Sequence, residues 1–104
     1  MSRGPDAATL LERALIAAAD TAGCPIAVVA SDWTRWASVT FSGARHSLTL
    51  TAEASPALDR WLVGLSDAEF DLRHTLVADL AVTRMTRDGD AVTVAIEALT
   101  VEER

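Results

Sequence analysis

The chain has 104 residues, half of them apolar, a formal net charge of −6, and nine arginines but no lysine. At this length one hydrophobic core is expected, and the composition is that of a folded chain. The negative balance disfavours a nucleic-acid partner, and the missing lysine excludes P-loop phosphate binding and Schiff-base catalysis.

The single cysteine, Cys24, excludes an intramolecular disulfide and reads as a small buried hydrophobe of a reducing compartment. No secretory signal opens the sequence and no apolar run is long enough to span a bilayer. A cytoplasmic protein with no membrane partner is therefore expected.

Residues 1–5, MSRGP, read as a loose leader to a single domain covering 1–104. Asp6 is a natural N-cap for a helix over 7–22, with Leu11, Ala14, Leu15, Ala18 and Ala22 as its apolar stripe. Gly23 supplies a left-handed stop, and Pro25 prevents a restart. The apolar run 25–31 predicts a first strand, DWTR (32–35) a connection, and 36–41 with 46–53 a hairpin. Gly43-Ala44 fits a two-residue II′ loop, which sets Val39 opposite Leu48 and Ala37 opposite Leu50.

Ser55-Pro56 is a cap followed by an N1 proline, and Leu58, Trp61, Leu62 and Leu65 form the stripe of a second helix. The spacing Ser66-Asp67-Ala68-Glu69 suggests one further helical turn. From His74 the chain is extended, and Asp88-Gly89-Asp90 marks a second hairpin. A three-residue loop, Arg87-Asp88-Gly89, sets Val82 opposite Val94, Leu80 opposite Ile96 and Asp79 opposite Glu97.

The expected fold is α+β: a two-layer sandwich in the order α-β-β-β-α-β-β, with a mostly antiparallel five-stranded sheet and both helices on one face. No internal repeat is visible. That element order, with the low isoelectric point and modest length, is similar to the small acidic secretion chaperones, although their C-terminal helix has no counterpart after TVEER. The resemblance implies a dimer that binds a segment of another protein.

Asp79 and Glu97 are the strongest candidates for chemistry. Two close carboxylates raise one pKa for general acid-base work or hold a divalent cation. Trp33 and Trp36 flank Arg35 and suggest a stacking patch. Val77, Met85 and Leu99, on the sheet face away from the helices, are candidate contacts of a homodimer. His46 and His74 belong to no spaced ligand cluster, so neither a metal nor another cofactor is expected. The sequence points to a homodimeric protein-interaction or chaperone-like module without catalysis. A small acid-base or ligand-binding protein using Asp79 and Glu97 is one alternative, and a structural subunit of a larger assembly is another.

Overall fold

Two helices and four long strands account for most of residues 6–103, the part of the chain described by the computed structural model. The first helix, α1 (Ala7–Ala22), is bounded as its end residues dictate. The Asp6 carboxylate accepts from the Thr9 N–H at 2.9 Å, and Gly23 takes φ +83° to close the last turn. That capping bond also lowers the pKa of Asp6. Leu11, Leu15 and Ala19 are wholly buried along its inner face. The second helix, α2 (Pro56–Gly64), starts on Ser55, whose side chain accepts from the Leu58 N–H, and runs into a 3-10 turn over Leu65–Asp67. The leader expected over 1–5 lies outside the described residues.

Among the described residues the sheet has four strands and not five. Strand β1 (Ile26–Ala37) runs through the expected connection DWTR, and β2 (Ser42–Glu53), β3 (Thr75–Asp88) and β4 (Ala91–Glu102) complete an antiparallel sheet in the order β1-β2-β4-β3. DWTR is extended because its residues alternate like a strand. Asp32 and Thr34 point to one side, and Trp33 and Arg35 to the other. Its polarity reflects a strand wet on both faces. The first hairpin turns at Val39-Thr40, closed by a Ser38 N–H bond to the Phe41 carbonyl at 2.7 Å. Trp33 therefore faces His46, and Ala37 faces Ser42, so the register centred on Gly43-Ala44 is corrected. Val39 and Phe41 lie exposed at the tip, outside the core.

The second hairpin turns at Gly89-Asp90, with Gly89 at φ +61° as the first residue of a II′ turn requires. The three-residue loop is thus also corrected. Bulges after Val77 and Val82 shift the register twice along β3. Leu80 faces Ala98 and Val82 faces Ile96, which keeps both on the helical side.

The two helices pack on that side. Leu11, Leu15, Leu58 and Leu65 meet Leu48, Leu50, Val92, Val94 and Ile96 in one core. Cys24 is part of it, and burial pushes its thiol pKa up. Helix–strand–strand occurs twice, and the second strands of the two units pair at the centre of the sheet. Even the bulges correspond: Val29 and Ala78 each sit three residues into the outer strand of their unit. The repeat is one of architecture, invisible in residue identity. The observed order α-β-β-α-β-β also removes the basis of the likeness to secretion chaperones, which rested on a third strand before α2. Among the described residues, no helix is long and apolar enough to cross a membrane.

Candidate functional site

With the helices on one side, the reverse of the sheet has no roof among the described residues. The strand registers arrange its side chains in rows that cross all four strands. Trp36, Gly43, Val101 and Leu76 make the first row, at the end nearest the first hairpin tip. The second row is Thr34, Arg45, Leu99 and Asp79, and the third is Asp32, Ser47, Glu97 and Ala81. Beyond them lie Ala30, Thr49, Ala95 and Arg84. One end is therefore apolar and the middle is acidic. Leu76 and Phe41, the latter beside Gly43 at the hairpin tip, are each 55% exposed.

A hollow of about 420 Å³ occupies the second and third rows, lined by Asp32, Arg45, Ser47, Asp79 and Glu97 among others. The two carboxylates singled out from the sequence thus share a face and a hollow. They do not face each other: Asp79 faces Leu99 and Glu97 faces Ala81, because the chain turns at Gly89-Asp90 and the bulge after Val82 takes back only one residue of the resulting offset. Diagonal neighbours of this kind are roughly 7–8 Å apart at the backbone, whereas carboxylates that share one proton approach to about 3 Å. Among the described residues, no group of three or more His, Cys, Asp or Glu side chains is placed to hold a metal ion.

Leu99 lies on the open face as expected, but Val77 and Met85 do not. Val77 faces Thr100 and Met85 faces Val94, on the helical side. Trp33 and Trp36 project from opposite sides of β1, so they form no joint stack around Arg35. Arg35 instead approaches Glu102, with 3.6 Å between charged atoms, while Ser42 donates to the other oxygen of that carboxylate.

Two residues carry more than their sequence signal suggested. Gly43 is needed for a close strand approach and not for a turn: a Cβ there would collide with the Thr100 carbonyl oxygen and lie 3.1 Å from the Trp36 ring. The ring covers the glycine, as aromatic residues beside strand glycines do. His46 is buried on the helical side, with Nε2 2.9 Å from the Thr100 hydroxyl. That hydroxyl lies 3.4 Å from the Ala44 carbonyl, to which it donates. No spacing pattern marked this pair, since its members are 54 residues apart.

Burial lowers the pKa of His46, and the Asp6 carboxylate offsets only part of that effect. The unfolded chain takes up the His46 proton near pH 6.5, at a higher pH than the folded one does. The contribution of His46 to stability is therefore full above that range and is lost as pH falls through it toward the lower folded pKa. Urea unfolding of wild type and His46→Gln between pH 5 and 8 should show a wild-type advantage that shrinks on acidification. An advantage independent of pH would refute this account.

The chain matches no protein-family model, and neither a curated protein nor a solved structure is significantly similar to it.

Proposed function

We propose that the chain is a non-catalytic interaction module, working as a dimer, which offers the open face of its sheet to a partner protein. The observation that supports this most directly is the apolar row Trp36, Gly43, Val101 and Leu76, continued by Phe41 and Leu99. Leu76 and Phe41 are exposed there, with Trp36, Val101 and Leu99 half-buried around the buried Gly43, and an apolar surface of this kind is a common mark of a binding site. The acidic residues beside it set the chemistry of the partner, a segment with apolar anchors followed by arginine or lysine. Burying a side chain the size of Leu76 contributes roughly 1.5–3 kcal/mol, enough to make it an anchor.

The test is comparative copurification. A partner retained by wild type and by Val63→Asp, a change at an exposed position of α2, should be lost with Leu76→Asp. Equal retention by all three would exclude the open face as the binding surface. A second reading, a small-ligand site built on Asp79 and Glu97, is favoured by the hollow that both residues line. The same variants separate the two readings. Leu76 is not among the residues lining the hollow, so a small ligand would bind wild type and Leu76→Asp alike.

A further inference from the structure

We infer that the outer edge of β1 is the surface through which two copies of this chain pair, strand against antiparallel strand, to give one continuous sheet. The inference rests on the dimer just proposed and names its interface.

The sheet order leaves β1 and β3 as edges. They differ in how well they are protected. Strand β3 is interrupted at Ala78 and Thr83, and bulges of this kind blunt an edge by breaking its pairing run. Strand β1 has one bulge, at Val29, and then pairs without interruption from Ala30 to Ala37.

The hydrogen bonds identify which backbone groups face outward. The Ser38 N–H points inward to the Phe41 carbonyl, whereas the Trp33 N–H donates to the Asp32 carboxylate at 2.9 Å. In an antiparallel ladder the two directions alternate. Ser31, Trp33, Arg35 and Ala37 therefore present N–H and C=O to the outside, and the Asp32 carboxylate caps the central donor.

A two-fold pairing centred on Thr34 engages all four of these residues. Trp33 then faces Arg35 of the second copy, Ser31 faces Ala37, and Thr34 meets its own equivalent. Faces match, because Trp33 and Arg35 both lie on the helical side of β1. Each indole meets a guanidinium, twice per dimer, and this complementarity selects a second copy as the occupant. Pairing at the edge also leaves the open face free. That face suits self-pairing poorly, since its middle rows set three carboxylates, Asp32, Asp79 and Glu97, against one guanidinium, Arg45.

Cross-linking tests the register. Thr34→Cys places two thiols at a non-hydrogen-bonded antiparallel pair, a geometry that a disulfide spans, while native Cys24 is buried and does not interfere. Mild oxidation should convert Thr34→Cys to a covalent dimer and leave Thr86→Cys, on the other edge, monomeric. In sedimentation, Asp32→Ala should tighten the dimer about tenfold, because it uncaps the Trp33 donor in both copies. Arg35→Pro removes an outward N–H, the guanidinium that would meet Trp33 of the second copy, and the exposed pair with Glu102, and should give a monomer whose circular dichroism is unchanged. A monomeric wild type at millimolar concentration, or a dimer that forms a covalent link through Thr86→Cys and not Thr34→Cys, would overturn the inference. Loss of partner binding in Leu76→Asp with the dimer intact would leave it standing, so its failure and that of the open-face reading are distinguishable.

Discussion

Gly43→Ala is expected to destabilise the fold by about 3 kcal/mol or more, while Gly64→Ala stabilises it by roughly 0.5–1 kcal/mol. The contrast lies in what a methyl group meets at each position. At Gly43 it collides with the Thr100 carbonyl, a backbone atom that cannot move without parting β2 from β4. These are the central strands, and their separation would also break the His46–Thr100 bond. At Gly64, near the end of α2, the backbone is helical and nothing lies within 4 Å. There the methyl group only restricts the unfolded chain. Urea titrations of both variants would decide the matter, and a Gly43→Ala protein as stable as wild type would disprove the close approach.

That glycine also shows where the sequence misleads. Gly43 lies between two alternating runs, and a glycine so placed is a reasonable centre for a hairpin. The chain turns instead at Val39-Thr40, which carry no glycine, proline or asparagine. Close approach and tight turning both demand the absence of a side chain, and only the tertiary structure distinguishes them. The helices were legible for the opposite reason. Asp6, Gly23 and Ser55-Pro56 act on the backbone beside them, so local sequence suffices to set each end.

Bulges account for the remaining errors. No residue in Val77–Arg84 announces one, yet each bulge moves the register by a residue and exchanges the two faces locally. Hence Val77 and Met85 fall on the helical side, while Leu80 between them stays where alternation placed it. Asp79 and Glu97 keep the expected face and lose only their direct opposition. The open face was thus identifiable from the sequence as a surface. Its apolar row was not, because Trp36, Gly43, Leu76 and Val101 come from four strands and meet only through the sheet order. The duplicated helix–strand–strand plan was hidden likewise, since it fixes the path of the chain and leaves residue types free.

Leu58→Ala should cost about 3–5 kcal/mol, at the upper end for such a truncation. Leu58 is wholly buried and is the one residue of α2 that the core encloses completely. A helix of nine residues is too short to be stable alone, so α2 depends on what it packs against. Its Ser55 cap and the exposed Arg87–Asp59 pair, 3.5 Å apart, cannot replace that burial. Once Leu58 is shortened, Trp61, Leu62 and Leu65 lose a common neighbour, and the half of the roof over β3 and β4 loosens together. Hydrogen exchange would report this directly. Amides of α2 and the following 3-10 turn should lose protection well before those of α1, whose core contacts Leu11, Leu15 and Ala19 are unchanged. Uniform loss across both helices would instead mean that the roof opens as a single unit, and that α2 has no separate dependence on Leu58.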